Sequence, residues 1–321
     1  MVKWSDVEGE CGLPCIATPQ GSSDREASCA ALTEWVGENP IAVKEKIEAH
    51  GAVLFRGFSF ESVKDFDEFA NVFCPSRQDY IGGNSPRTRI KDGVYTATEY
   101  PNSAKISLHN EASYLRSMPR HILFYCEAAP KRGGQTPLAD CRKVFLGIAP
   151  SIRECFVSKR IKYVNNLHGG YGFGRSWRDV FQTEDRREVE QWLEVRGYEF
   201  YWKADGGLRT SIVGDGAAKH PETKEDVWIN QAEQWHPSNL DSRARKSLLS
   251  LLKEEDLPHN AYFGDGTPIM ETDLEHIRRV LAEQEVVFEW AEKDVLLCDN
   301  YLVAHGRQPF TGERKIFVAL G

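Results

Sequence analysis

The sequence predicts a mainly β protein with surrounding helices, a single domain over residues 1–321 whose core sheet is assembled from sequence-distant pieces. Short apolar bursts bounded by turn residues dominate both flanks, as in GAVLFRGF from Gly51 and RKIFVALG from Arg314. Charged stretches of helical spacing gather in the middle, roughly residues 170–280, where they form helical and loop insertions. No repeat, low-complexity tract or linker divides the chain.

The opening residues to about Ser23 mix Gly, Pro, Ser and Cys without periodicity and predict an irregular arm. Trp35, Ile41, Val43 and Ile47 fit one helix ending at His50 and Gly51, and the strand from Gly51 follows. ESVKDFDEFANVFC sets Val63, Phe66, Phe69, Ala70 and Phe73 on one helical face, and Pro75 stops it. Val94, Tyr95 and Thr96 predict a strand after a Gly-rich loop, and Ile106–Leu108 and His121–Cys126 predict two more. Helices are expected at Asp179–Arg196 and in SRARKSLLSLLKEED; VVFEWAEKDVLLCDN and RKIFVALG close the chain as strands.

A formal charge of −8 argues against a nucleic-acid or anionic-membrane surface and for a small-molecule partner. No apolar run approaches the roughly 18 residues of a membrane span, and MVKWSDVEGECGLPC lacks a basic region followed by a long apolar run, so neither export nor anchoring is expected. The eight cysteines lack any C-x-x-C pair, so the expectation is a reducing cytoplasm with cysteines as small buried apolar groups.

His109 and Glu111 sit two residues apart in SLHNEASY, where burying a core requires neither. An imidazole and a carboxylate at that spacing converge on a borderline divalent metal if the chain turns there. A 2-His-1-carboxylate triad needs one more histidine, and His305 in CDNYLVAHGRQPFTGERK is placed to supply it. By contrast His50 ends a helix, His121 lies in an apolar strand, and His220, His236 and His259 adjoin prolines. Arg314, nine residues after His305, shares a strand face with Ile316 and Val318, and its planar fork suits a carboxylate. The competing reading of each is ordinary: a capped or surface histidine, and a surface arginine beside Lys315.

LHNEASY, FYCEAAPKRGGQTPLADCR and DNYLVAHGRQPFTGERK together resemble the iron(II) and 2-oxoglutarate dependent oxygenases of the taurine dioxygenase (TauD/TfdA) superfamily, particularly the SyrP-like and clavaminate synthase-like branch. VYTATEYP also resembles that branch, and the match runs from about Gly51 to the end. The resemblance implies a distorted double-stranded β-helix, a cupin-like jelly roll. It implies His109, Glu111 and His305 as iron ligands, Arg314 with Thr136 of GGQT for the distal carboxylate of 2-oxoglutarate, and dioxygen as second co-substrate. It departs from taurine dioxygenase itself in having Glu111 for Asp, and Val318 four positions past Arg314 where that enzyme has an arginine for the sulfonate. Taurine is therefore not the expected substrate, and the retained acid argues against halogenation.

The implied chemistry is oxidation of an unactivated C–H bond coupled to decarboxylation of 2-oxoglutarate to succinate. An amino acid or amino-acid-derived substrate, free or tethered to a carrier protein, is expected by analogy with the branch. Hydroxylation is the leading outcome, with desaturation or oxidative cyclisation as the alternative. Arg87, Thr96, Glu99 and Asn230 are candidate substrate contacts, Glu99 for an ammonium and Arg87 for a carboxylate, although the leading reading of each is a solvated loop residue. The rivals from other classes are a metal-binding jelly-roll protein without oxygenase activity and a structural or partner-binding domain in which the histidines are incidental.

Overall fold

The computed structural model describes residues 2–6, 12–21, 23–77, 87–91, 93–97, 100–115 and 117–321. An eight-stranded sheet organises it, in the order Val2–Asp6, Cys15–Pro19, Ala52–Phe55, Val295–Asp299, His121–Ala128, Lys315–Leu320, Val94–Thr96 and Arg89–Lys91. Neighbours are antiparallel except Cys15–Pro19 with Ala52–Phe55. A three-stranded sheet of Ile106–His109, Val303–Arg307 and Leu138–Asp140 carries two of the expected ligands.

Period-two alternation explains why the central strands are almost wholly apolar. Leu123, Tyr125, Leu297, Phe317 and Ala319 pack with Leu32, Val43, Phe66 and Phe69 of the helices Cys29–Glu38, Pro40–His50 and Val63–Phe73. The alternate residues Phe124, Cys126, Leu296, Ile316 and Val318 join a second core with Leu108, Leu138 and Val303 of the three-stranded sheet. Each fully buried aromatic such as Phe317 contributes about 1.5–3 kcal/mol of transfer free energy. The apolar runs are thus strands buried on both faces, and the chemistry sits between the two sheets.

Local signals set the element boundaries. Ser62 and Asp65 form a reciprocal capping box at the start of Val63–Phe73. Gly51 ends Pro40–His50 in a left-handed conformation at φ 79°. The single helix expected across Trp35–His50 is two, because Asn39–Pro40 breaks it and Pro40 opens the second. The helix expected over Asp179–Arg196 is likewise split into Trp177–Phe181 and Arg186–Val195, with Gln182 left-handed and Asp185 capping the second piece.

Two expectations are corrected. The arm is not irregular: Val2–Asp6 and Cys15–Pro19 pair antiparallel and extend the main sheet, a pairing that local periodicity does not announce. The 170–280 segment is more than helices and loops. Its strands Glu199–Trp202, Leu208–Gly214 and His259–Phe263 build a four-stranded sheet with Ile161–Leu167. No helix among the described residues is long and apolar enough to cross a membrane.

Candidate metal centre

His109 ends one strand of the three-stranded sheet, and His305 lies directly opposite it on the neighbouring strand. Residues directly opposite each other on antiparallel strands have their side chains close together. The two ring centroids are 4.6 Å apart. The chain turns immediately after Asn110, which swings Glu111 back to the same point. Ligand atoms of His109, Glu111 and His305 all lie within 4.8 Å of one another.

Burial sets the electrostatics. Both imidazoles are pushed below their ordinary range, His109 by burial and His305 well below it by burial with the His109 and Arg87 charges adding. They are therefore neutral near pH 7, the form that ligates a metal. Nδ1 of His109 engages the Ser107 carbonyl at 2.9 Å, which orients the ring and leaves Nε2 to ligate. Phe124 packs edge-on against His305 with centroids 5.1 Å apart, fixing that ring from the main sheet. The donor set, two neutral nitrogens and a carboxylate at one buried point, fits a mononuclear divalent metal.

The second pair is also assembled. Arg314 donates from Nε to the Gly134 carbonyl at 2.9 Å and approaches the Thr136 hydroxyl at 3.4 Å. Trp290 donates to the same hydroxyl at 3.0 Å. Gly134, at φ 72°, is required here, since a Cβ would lie 3.1 Å from Arg314 Cδ and 2.7 Å from Pro130 Cγ. Burial pushes the Arg314 guanidinium down to about 10, with the Arg307 charge adding, so it stays cationic at neutral pH. Among the described residues no carboxylate forms an ion pair with it. A buried cation lacking an anion is a receptor for one, and here the donor set suits a carboxylate.

One cavity is lined by Arg87, His109, Thr136, His305 and Arg314, so the structure brings five of the expected site residues together. Arg87 is not a solvated loop residue: its side chain is 3% exposed and its Nη2 meets Glu111 Oε2 at 2.5 Å. Two other candidates serve the backbone. Thr96 Oγ1 accepts from the Thr88 amide. Asn230 Nδ2 donates to the Gly216 carbonyl at 2.6 Å and its Oδ1 accepts from the Ala232 amide, so its carboxamide faces a turn and not the triad. Glu99 lies outside the described residues. A larger cavity of about 230 Å³ adjoins through Ile106 and is walled by Trp235, His236 and His259.

Sequence reasoning passes over Arg307, whose guanidinium donates to the carbonyls of Tyr100, Pro101 and Ala104 and pins the loop leading to His109. Its position in HGR, two after His305, is the only local signal.

Two imidazoles and one carboxylate beside a buried, acid-seeking guanidinium are the residue set of a metal-dependent oxygenase with an organic acid as co-substrate. The family model for the taurine catabolism dioxygenase TauD, TfdA family matches residues 21–320. The dapdiamide synthesis protein DdaC of Enterobacter agglomerans is 38% identical over 309 residues, covering 96% of this chain and 92% of that protein. A clavaminate synthase-like protein of Arabidopsis thaliana is 32% identical over 320 residues, covering 96% and 93%. Among solved structures, PvcB, an Fe, alpha-ketoglutarate dependent oxygenase from an isonitrile synthetic pathway, shares the fold. Its TM-score is 0.56 at 16% identity, covering 99% of this chain and 91% of PvcB. The chain belongs to the TauD, TfdA family. It is a 2-oxoglutarate-dependent oxygenase, with iron(II), 2-oxoglutarate and dioxygen as the cofactor and co-substrates of its class.

Proposed function

We propose that His109, Glu111 and His305 hold iron(II), that Arg314 with Thr136 receives the distal carboxylate of 2-oxoglutarate, and that the enzyme hydroxylates an unactivated C–H bond of an amino acid or amino-acid-derived metabolite. The observation that carries this reading is the convergence of three ligand atoms within 4.8 Å, beside a buried guanidinium. Residues 1–321 form one oxygenase domain on this reading, and the eight- and three-stranded sheets are the two halves of a distorted double-stranded β-helix.

Iron(II), when bound, supplies dioxygen activation coupled to decarboxylation of 2-oxoglutarate to succinate and carbon dioxide. The chain supplies the rest. Arg87 pairs with Oε2 of Glu111 and so would hold that carboxylate beside the two imidazoles where the metal would bind. Its positive charge beside the triad also suits a substrate carboxylate. Arg314 and Thr136 fix the co-substrate at the far end, with Trp290 orienting the hydroxyl. Phe124 and Ile106 give the cavity apolar walls that limit water around the reacting carbon. The substrate enters by the larger adjoining cavity, whose Trp235 and histidine walls suit a small polar metabolite, free or carrier-tethered.

Val318, fully buried in the core, presents no cation four positions past Arg314, which argues against taurine. A relative named for dapdiamide synthesis and a structural neighbour from an isonitrile pathway support a natural-product substrate. The test is a panel of free and carrier-bound amino acids incubated with iron(II), 2-oxoglutarate and oxygen, scored by succinate and product mass. Gain of one oxygen is expected. Loss of two hydrogens would replace hydroxylation with desaturation or cyclisation, and no succinate with any substrate would remove the reading.

A further inference from the structure

The turn carrying Glu111 is gripped by a residue outside the proposed ligand set. Asn300 is completely buried, and its carboxamide takes both peptide groups of Glu111. Oδ1 accepts from the Glu111 N–H at 2.8 Å, and Nδ2 donates to the Glu111 carbonyl at 2.9 Å. The same Nδ2 donates to the Pro119 carbonyl at 2.9 Å, and the Asn300 carbonyl accepts from Asn110 Nδ2 at 2.6 Å. Only a carboxamide offers an acceptor at one corner and two donors at the other; an aspartate would set a carboxylate against two carbonyls.

The turn needs holding. Ala112, next after Glu111, is left-handed at φ 52°, a conformation that a residue with a Cβ keeps only where its surroundings over-determine it. Gln231 supplies a second grip, donating to the Asn110 carbonyl at 2.5 Å and to Ser113 Oγ at 3.1 Å. Asn300 also lies in the turn joining the strands Val295–Asp299 and Val303–Arg307. One short connection therefore presents His305 and, at the same time, clasps the backbone of Glu111.

We propose that Asn300 is a positioning residue that sets the Glu111 carboxylate in register with the two imidazoles, an inference that rests on Glu111 being a metal ligand. The turn itself is anchored independently. Asp299 Oδ1 accepts from the Tyr301 and Leu302 amides, and its Oδ2 meets Arg120 Nε at 2.7 Å and His220 Nε2 at 3.0 Å. Replacing the Asn300 side chain therefore leaves the turn its own supports.

The experiment titrates the metal-free chain with cobalt(II), reading calorimetric affinity and the visible d–d spectrum, with melting temperature recorded for each variant. Asn300→Asp is expected to weaken cobalt(II) binding at least tenfold and to alter the d–d bands. Asp299→Asn destabilises the same turn without touching Glu111, and is expected to lower the melting temperature while leaving cobalt(II) affinity within about threefold of wild type. Wild-type binding and spectrum in Asn300→Asp, or equal affinity losses in the two variants, would overturn the proposal. Should Asn300→Asp not fold, Asn300→Gln, which keeps both polar groups one methylene further out, carries the same comparison. Glu111→Gln separates the underlying reading: wild-type affinity there removes Glu111 from the ligand set, whereas lost affinity there with intact affinity in Asn300→Asp removes only the clamp.

Discussion

The two faces of the strand His121–Ala128 have different fates. On one, Leu123 and Tyr125 join the core under the helices, where the Tyr125 ring stacks against Phe66 and Phe317 and its hydroxyl donates to the Phe60 carbonyl. On the other, Phe124 lies against His305, and the cavity it borders is lined by Arg87, Thr136 and Arg314. Residues one position apart thus serve stability and chemistry respectively. The difference teaches that the helix-facing side is a packing problem, whereas the site-facing side tolerates buried charge because a ligand is due to neutralise it.

Breaking the site-facing side should cost function far more than fold. His305→Ala is expected to lower 2-oxoglutarate turnover on the order of a thousandfold or more, with cobalt(II) binding lost in calorimetry. The opposite signature is expected for Phe317→Ala on the helix-facing side. Urea denaturation should show a loss of about 3–5 kcal/mol, with metal affinity unchanged in whatever fraction remains folded. If Phe317→Ala weakened metal binding in the folded fraction as much as His305→Ala, the division of labour between the faces would be wrong.

A finer cut falls within the site. Arg314→Lys keeps the charge but loses the fork, and the 2-oxoglutarate KM is expected to rise about 10–100-fold while cobalt(II) affinity holds. An unchanged KM would move the co-substrate elsewhere. The smallest effect concerns Glu233, whose carboxyl burial pushes up to about 7 against the opposing pull of Arg278. The folded state then keeps a proton that the unfolded state has already lost, so stability declines as pH rises from about 4.5 to 7. The slope from this group is at most on the order of 1 kcal/mol per pH unit. Urea midpoints for wild type and Glu233→Gln across that window check it, since the variant should show a shallower slope.

The three donors that converge stand out in the sequence because of their chemical spacing, His109 and Glu111 two apart and His305 upstream of Arg314. The helix Val63–Phe73 was legible from its apolar period and capping box, both local properties. The N-terminal strands were not, because the edge they extend belongs to residues 52–55, far along the chain. The partners of Asn230, the Gly216 carbonyl and Ala232 amide, are equally invisible in the sequence, because they depend on how a turn closes. Arg87 was named for a substrate carboxylate, and its ion pair with Glu111 emerges only when residues 24 apart are folded together.

By itself, then, the sequence determined the kinds of donor available and the apolar periodicities of the central strands, because ligand chemistry and alternation are carried residue by residue. The tertiary structure alone decided which polar groups are left without local partners and which are consumed. Glu111 is held by Asn300 and Arg87, Arg314 is left facing a cavity, and Thr96 and Asn230 are taken up by backbone. Hydrogen-bond satisfaction in a buried interior is settled among residues distant in sequence, and no local pattern records that settlement.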